Sequence, residues 1–529
     1  MSVASKLIAD GKAFLGLELG STRIKAVLID DTGAPLASGA FDWENSLVDG
    51  VWTYGQQEIL AGVRACYADL RKNVEAQYGV TIHSLTAMGV SGMMHGYLAF
   101  DENGALLVPF RTWRNTFALG AAQELSQLFD FKIPARWSVA HLYHAMKNNE
   151  PHVKRIAFFT TIAGYIHWLL TGRKVLGIGD ASGMFPVDDK TMDYDAGMLE
   201  KFNALAAEKG YAMNLRELLP RVLRAGEPAG TLTAEGAALL DESGALGPGI
   251  PLCPPEGDAG TGMTATNAVR PRTGNVSAGT SIFTMAVLDQ PLNGWYPEID
   301  VVATPDGAPV AMVHGNNCTG DIDAWVRLFG EALSLFGVSV KKSELYDKLL
   351  KAAFDGDKDV GGLMNYNYIA GEGVTKIPSG KPMFLRGENS VFNLPNFMKA
   401  QLMGAVSTIR VGMDILYREG VRLDCIAGHG GYFKTKETGT RFMSAALEIP
   451  VKVMETAGEG GPWGMALLAS YCAGKAEGES LADYLDRRIF AGAKSETVAP
   501  TPEDIESFGI YFERYKKWLP AEAEAGKIR

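Results

Sequence analysis

Two short turns rich in glycine and hydroxyl residues carry the clearest chemical signal in the sequence. Gly20-Ser21-Thr22 follows the apolar run Phe14–Leu19 and precedes a second apolar run, and Gly279-Thr280-Ser281 has the same setting about half a chain later. Each pattern predicts a β-hairpin whose turn presents backbone N–H groups, and such a nest of amides binds anions. The simplest use of two such turns is a cleft between two related domains that binds a nucleoside triphosphate from both sides.

Asp258 is the candidate general base. Transfer of a γ-phosphoryl group to a hydroxyl requires in-line positioning, charge neutralisation and an acceptor for the hydroxyl proton. A carboxylate within hydrogen-bond distance can accept that proton, and the glycines of Glu256–Gly260 allow a close approach. The alternative is an Asx-turn that follows Pro254-Pro255 and caps a helix beginning near Ala259.

Four further residues are candidates for binding a polyhydroxylated substrate, namely Met94, His95, Trp113 and Asn115. A neutral histidine both donates and accepts hydrogen bonds, and an aromatic ring can stack on the apolar C–H face of a sugar. The alternative for His95 is a packed residue at the end of a strand.

Hydrophobic periodicity predicts the elements that position these residues. Alternation and turn signals predict strands over 14–30, 34–41, 85–91 and 423–427. Apolar residues at helical spacing predict helices over 57–78, with Gly79 as the C-cap, 156–170 and 399–416. This alternation of strands and helices predicts an α/β fold.

Length and composition predict a soluble enzyme of two domains. The 529 residues exceed what one hydrophobic core usually supports, and we place the boundary between domains 1–265 and 266–529. The net charge of −11 argues against a nucleic-acid-binding surface. Five scattered cysteines without a CxxC pair indicate reduced thiols and a cytoplasmic protein, and no apolar run approaches the roughly 20 residues that span a bilayer.

Read together, these segments resemble the FGGY carbohydrate kinases of the actin-like ATPase superfamily over nearly the whole chain. The first hairpin is similar to that family's first phosphate motif, and Gly92–Gly96 to the sugar-contacting G-Q-M-H-G of xylulokinases. The other matching segments are Trp113-Arg114-Asn115 (W-x-D), Asp180–Gly183 (D-A-S-G), Pro248–Asp258 (P-G-(I/V)-P…G-D), Ser277–Ser281 (S-x-G-T-S) and Gly428–Gly431 (the adenosine motif). Each motif is short, and their order and spacing carry the resemblance.

The resemblance implies two ribonuclease-H-like domains around a central cleft, with ATP and Mg²⁺ as cofactors. It implies phosphate contacts from Gly20, Ser21, Thr22, Arg23, Gly279, Thr280 and Ser281. An inward-facing Arg23 would neutralise charge during the transfer. Gly430 and Gly431 would lie against the adenine or ribose, although a Gly-Gly pair is also typical of a simple turn.

Glu18 and Asn115 depart from the family pattern. The family usually has aspartate at the first position, where it holds Mg²⁺ directly or through water. We predict that Glu18 and Asp258 hold the metal, and the alternative for Glu18 is a solvent-facing carboxylate on an edge strand. Asn115 replaces a frequent carboxylate, which weakens the inference of a ketose substrate.

The sequence therefore predicts an ATP-dependent kinase that phosphorylates a sugar hydroxyl, most simply that of a pentulose such as D-xylulose. L-ribulose, glycerol, erythritol-like polyols and longer ketoses remain open as acceptors. We expect no nucleic-acid or membrane partner, and a homodimer is consistent with the family. The rival is an actin-like ATP-binding switch or assembly protein without a sugar site, and a third reading is a sugar-binding sensor. Glu18 and Asn115 favour the rival, whereas Met94, His95 and Asp258 favour the kinase.

Overall fold

The computed structural model describes residues 2–455 and 460–528. The strands of its first half are Phe14–Leu19 (β1), Arg23–Ile29 (β2), Pro35–Asp42 (β3), Ser46–Val48 (β4), Val51–Thr53 (β5), Ala87–Gly92 (β6), Leu98–Phe100 (β7), Phe158–Thr160 (β8), Val175–Gly177 (β9), Val187–Asp188 (β10), Asp193–Tyr194 (β11), Arg221–Leu223 (β12) and Glu256–Gly257 (β13). Those of its second half are Thr273–Ala278 (β14), Ile282–Val287 (β15), Ile299–Ala303 (β16), Pro309–Gly315 (β17), Met364–Tyr366 (β18), Met383–Leu385 (β19), Cys425–His429 (β20), Val451–Met454 (β21) and Ser495–Val498 (β22).

Helices connect and cover these strands. They are Val3–Ala9 (α1), Gln56–Tyr78 (α2), Leu119–Phe129 (α3), Ser138–Lys147 (α4), Ile162–Thr171 (α5), Ile178–Ala181 (α6), Ala196–Glu208 (α7), Leu215–Leu218 (α8), Ala234–Leu240 (α9), Asp258–Ala265 (α10), Gly320–Leu335 (α11), Lys342–Ala352 (α12), Leu394–Arg418 (α13), Thr438–Leu447 (α14), Gly460–Gly474 (α15), Leu481–Tyr484 (α16) and Pro502–Lys527 (α17).

The two halves are built on sheets with the same strand order. The first sheet runs β13-β6-β1-β2-β3, and the second contains the series β21-β20-β14-β15-β17. In both, the central strand pairs antiparallel with the strand that follows it in sequence and parallel with its other neighbour. The predicted pair of related α/β domains is therefore confirmed.

Both predicted hairpins are also confirmed, and their role in phosphate binding stays a prediction. In the first, Leu19 pairs with Ile24, and the Gly20 N–H donates to the Arg23 carbonyl at 3.1 Å. In the second, Ala278 pairs with Ile282, and the Gly279 N–H donates to the Ser281 carbonyl at 2.9 Å. The two turns face the space between the sheets.

Local capping explains where the predicted helices are right and where they are wrong. Helix α2 ends as expected at Gly79, whose φ of 67° is the left-handed conformation that glycine adopts easily. The helix predicted over 156–170 begins later, at Ile162, because 158–160 pairs with β7 as a strand and the Thr161 hydroxyl caps the helix. Helix α13 begins earlier than predicted because Asn393 caps it.

Helix α15 comes from the second half of the chain but packs on the first sheet. It covers the face of β1 and β6 opposite to α2. A Cβ atom at Gly16 would overlap the Pro462 carbonyl oxygen, and one at Gly464 would overlap that of Thr261 in α10. Glycine at these positions lets α15 lie against both β1 and α10.

The state of the cysteines and the polarity of the helices were also predicted from the sequence. All five cysteines are free thiols. Across 2–455 and 460–528, the helices are too short or too polar for a membrane span.

Candidate active site in the interdomain cleft

A cavity of about 440 Å³ lies between the two sheets and is lined by residues from both. The predicted site residues that line it are Glu18, Ser21, Met94, His95, Trp113, Asp258 and Ser281. These side chains come from positions up to 263 residues apart in a chain of 529, and the fold brings them to one place.

Asp258 is the first residue of α10, and its carboxylate faces the cavity. Its Oδ1 accepts the Met94 N–H at 3.2 Å. The carboxylate is open to the cavity but surrounded by protein, so burial raises its pKa while the backbone amides of Met94 and Ala259 oppose that shift. The Asx-turn alternative is not what the structure shows, because Gly257 occupies the cap position of the helix.

Glu18 lies on the central strand of the first sheet, so the edge-strand alternative is wrong. Burial, reinforced by the nearby charge of Asp258, raises the pKa of Glu18 to about 7. Among the described residues its Oε2 atom has no hydrogen-bond partner although it is buried. An unpaired carboxylate oxygen beside a second carboxylate suits a hard cation.

This pair of carboxylates fits Mg²⁺. Magnesium usually takes one or two protein carboxylates and completes its shell with water and substrate phosphates. The described residues hold no cluster of three or more metal-ligating side chains.

Aromatic donors hold the first phosphate turn from three sides. Trp43 Nε1 donates to the Gly20 carbonyl at 2.7 Å, and the Tyr54 hydroxyl donates to the Ser21 carbonyl at 2.5 Å. Trp113 Nε1 donates to Ser21 Oγ at 3.0 Å, while 42% of the Trp113 surface stays exposed. The turn is therefore fixed, and the Trp113 ring is left as an accessible wall beside it.

The second phosphate turn is fixed by the start of α11. The Gly279 carbonyl accepts both the N–H and the hydroxyl of Thr319 at 3.0 Å. Gly430 has a φ of 102° and lies against Ala278, and Gly431 follows it in a short 3₁₀ turn. The predicted adenosine motif thus adjoins the predicted phosphate motif.

His95 is buried, with a φ of 71°. Its Nδ1 lies 3.0 Å from the Gly183 carbonyl, and its ring stacks on Trp137 with centroids 6.2 Å apart. Burial and the nearby Arg136 charge lower its pKa well below the usual value, so the ring is neutral. The Nδ1 contact leaves Nε2 as the hydrogen-bond acceptor.

Several predicted site residues do not line the cavity, and two of them, Asn115 and Arg23, use their side chains elsewhere. Asn115 is buried, and its amide bonds with the backbone of Trp52 and Thr112 at 2.8–3.0 Å, so it holds two loops together instead of facing a substrate. Arg23 is half exposed and pairs with Asp42, so its charge is directed to the surface rather than inward.

The family models of the FGGY carbohydrate kinases match the chain over both halves. The N-terminal domain model matches residues 13–259 and the C-terminal domain model residues 274–473. The chain belongs to the FGGY family of carbohydrate kinases. This FGGY kinase therefore transfers phosphate from ATP to a sugar.

Curated relatives and solved structures cover almost all of this FGGY kinase. A xylulose kinase of Haemophilus influenzae is 21% identical and covers 95% of this chain and 98% of its own, and one of Lactococcus lactis is 19% identical over 95% of each. A ligand-bound xylulose kinase structure from Lactobacillus acidophilus has a TM-score of 0.78 at 18% identity, covering 97% and 99%. A gluconate kinase from the same organism has 0.77 at 17%, with the same coverage. At these identities the structures establish the fold.

Behind Asp258, the FGGY kinase buries two more carboxyl groups. Glu256 accepts the N–H groups of Gly179 and Asp180 at 3.2 and 3.0 Å, in a space that a Cβ at Gly177 or Gly179 would fill. Asp180 accepts the Thr161 hydroxyl at 2.7 Å. Burial raises the pKa of both groups, and their mutual proximity adds to the effect for Glu256.

Sequence reasoning missed several cavity residues, among them Arg136, Asn275, Phe283 and His314 outside the motifs and His429 within the adenosine motif. Strand alternation carries a signal for two of them. Phe283 pairs with His314 across β15 and β17, two residues beyond the phosphate turn that ends at Ser281. Arg136 has no such signal, because it lies in the connection between α3 and α4, where there is no strand or helix periodicity to show which way a side chain points.

Proposed function

We propose that this FGGY kinase phosphorylates a terminal hydroxyl of a pentulose, D-xylulose first, with Asp258 as the general base. The observation that carries the proposal is the position of Asp258. It lies in one cavity with Met94 and His95 of the sugar motif and with Ser21 and Ser281 of the two phosphate turns. The curated relatives named as xylulose kinases support the choice of acceptor.

In this mechanism the carboxylate is held ready for proton transfer. The Met94 N–H fixes Oδ1 and leaves Oδ2 to accept the proton of the reacting hydroxyl. Burial raises the pKa of Asp258, which strengthens it as a base. His95, neutral and oriented through Nδ1, accepts a hydrogen bond from a second hydroxyl, and Trp113 contacts the apolar face of the sugar.

The phosphate turns position the nucleotide. The N–H groups of Gly20 and Gly279 close the turns, and the backbone N–H groups and hydroxyls of Ser21, Thr22, Thr280 and Ser281 donate to the phosphates. Gly430-Gly431 contacts the adenosine. Glu18 and Asp258 would hold Mg²⁺, which neutralises phosphate charge when it is bound. Closure of the cleft would exclude water and limit wasteful hydrolysis of ATP.

Asp258→Asn tests the proposal. We expect ADP release from Mg²⁺-ATP to be stimulated by D-xylulose or another acceptor in a panel of ketoses and polyols. Asp258→Asn should lower kcat by about 10²–10⁴-fold, the range for losing a general base, and leave the KM for ATP within a few-fold. Asp289→Asn, a change at an exposed carboxylate, is the control and should behave as wild type.

Two outcomes would contradict the proposal. Turnover that no acceptor stimulates would favour the ATP-binding switch. A variant Asp258→Asn as fast as wild type would remove the role of general base. The cytoplasmic location and the homodimer stay predictions, and sedimentation of the purified protein measures the second.

A further inference from the structure

Arg136 projects into the cleft from a turn that is tied to the sugar motif. The turn closes with a bond of 3.1 Å from the Trp137 N–H to the Pro134 carbonyl. The Arg136 carbonyl accepts the Gly96 N–H at 3.4 Å, and the Ser138 hydroxyl donates to the Gly96 carbonyl at 2.5 Å. The backbone of Arg136 therefore has a fixed position relative to His95 and Gly96.

The guanidinium of Arg136 reaches across the cleft. Its Nη2 donates to Oδ2 of Asp300 at 2.5 Å, and Asp300 lies on β16 of the second sheet. Its Nε and Nη1 groups make no hydrogen bond with the residues that the structure describes, and Arg136 lines the cavity. One edge of the guanidinium is thus held by the second domain, while its other donors face the space where a substrate would bind.

The Arg136–Asp300 ion pair is a polar group in a mostly apolar part of the cavity wall. The second domain contributes Phe283, Met285, Val302 and Met312 to the wall. His314 lies among them, and burial, reinforced by Arg136, lowers its pKa to about 4, so it is neutral. A few polar groups in an apolar wall are the usual means by which a site fixes the orientation of its ligand.

We propose that Arg136, held by Asp300, is a specificity-determining residue that binds acceptor hydroxyls other than the one Asp258 deprotonates. The planar fork of a guanidinium matches two neighbouring oxygens, so the preferred acceptor carries a vicinal pair of hydroxyls at this place. Because Arg136 and Asp300 belong to different domains, acceptor binding depends on the domains being closed. The inference rests on the proposed function, since it needs an acceptor in this cleft.

Arg136→Gln tests the proposal in the full-length protein with D-xylulose, L-ribulose, glycerol and erythritol as probes. We expect the KM of the best acceptor to rise about 10–100-fold, the range for losing hydrogen bonds to a charged group. The KM for ATP should stay within about two-fold. Arg136→Lys keeps the charge but not the fork, so it should recover only part of the loss.

Asp300→Asn and a matched control complete the design. Asp300→Asn should also raise the acceptor KM, and the effect of the double variant should be smaller than the product of the two single effects, because the residues act as a unit. Arg270→Gln, which removes an exposed ion pair with Asp483 and Asp486, should leave both KM values unchanged.

The outcomes separate this inference from the function on which it rests. An active wild type whose Arg136→Gln variant keeps its acceptor KM would overturn the inference alone. A rise of both KM values by the same factor would make Arg136 a structural residue and overturn it as well. A wild type that no acceptor stimulates would overturn the inference together with the proposed kinase activity.

Discussion

Two carboxyl groups line the cleft, two more are buried behind them, and each of the four is held by a different set of contacts. Asp258 has a backbone amide, Glu18 has an unpaired oxygen among the described residues, and Glu256 has a cradle of glycines and amides. Asp180 accepts a threonine hydroxyl, and its charge interacts with those of Asp258 and Glu256. Because like charges close together oppose ionisation, this end of the cleft retains protons at a higher pH than exposed carboxylates do.

The stability of the protein without ligands should therefore fall as the pH rises from about 5 to about 8. Burial raises the pKa of Glu256 to about 8, so over this window the folded protein binds a proton that the unfolded chain has lost. The free energy of unfolding then decreases with pH, by up to about 1.4 kcal/mol per pH unit for each such group. Urea unfolding at pH 5, 6, 7 and 8 measures this slope.

Glu256→Gln should make that slope shallower, because one of the titrating groups is removed. Asp180 remains, so some dependence should persist. Glu235→Gln, at an exposed carboxylate, is the control and should keep the slope of the wild type. An unchanged slope in Glu256→Gln would show that Glu256 is already ionised at pH 5.

Among the elements, the contact between α15 and β1 leaves the least room for change. The helix backbone lies directly on Gly16, so a methyl group there overlaps the Pro462 carbonyl oxygen. Backbone atoms cannot move aside as a flexible side chain can. The contact therefore needs glycine for space and not for an unusual φ.

Gly16→Ala should destabilise the protein by about 1–3 kcal/mol or more, the range for overpacking a core. Gly509→Ala is the matched control. Gly509 lies within α17, and no atom comes within 4 Å of its added Cβ, so that variant should gain about 0.5–1 kcal/mol from helix propensity. Thermal unfolding of both variants measures the difference, and equal midpoints would contradict the assigned contact.

The sequence predicted elements whose signals are local, and it failed where a contact joins distant segments. The hairpin turns at Gly20 and Gly279 and the cap at Gly79 are encoded by neighbouring residues. Asn115 lies in a motif-like position, but its amide is used by the backbone of Trp52, which no local pattern reveals. The Arg136–Asp300 pair depends on how two domains meet.

At the scale of the whole molecule, the chain builds two sheets with the same strand order, and helix α15 from its second half packs on the first sheet. Helix α10 and helix α15 follow corresponding strands, β13 and β21, and they pack against each other in the middle of the molecule. The core of the first domain includes Trp463, Met465 and Leu467 of α15. The first domain is therefore incomplete without a segment from near the end of the chain.

A fragment of residues 2–265 should not fold to a stable domain by itself. It would expose the face of the first sheet that α15 covers, and large exposed apolar surfaces promote aggregation. Co-expression with residues 266–528 should restore solubility, which the soluble yield of fragment 2–265 would measure. A pull-down would show whether the two fragments bind each other. A soluble, monomeric fragment 2–265 with a cooperative unfolding transition would contradict this expectation.

The packing of α15 on the first sheet has a consequence for synthesis of the protein. When the ribosome has completed the strands of the first sheet, about 200 residues remain before α15 is made, and at ~5–20 residues per second this takes on the order of 10–40 s. During that interval the nascent chain carries a sheet whose one face has no cover. We therefore expect the nascent first domain to bind chaperones that recognise apolar surface until α15 has left the ribosome.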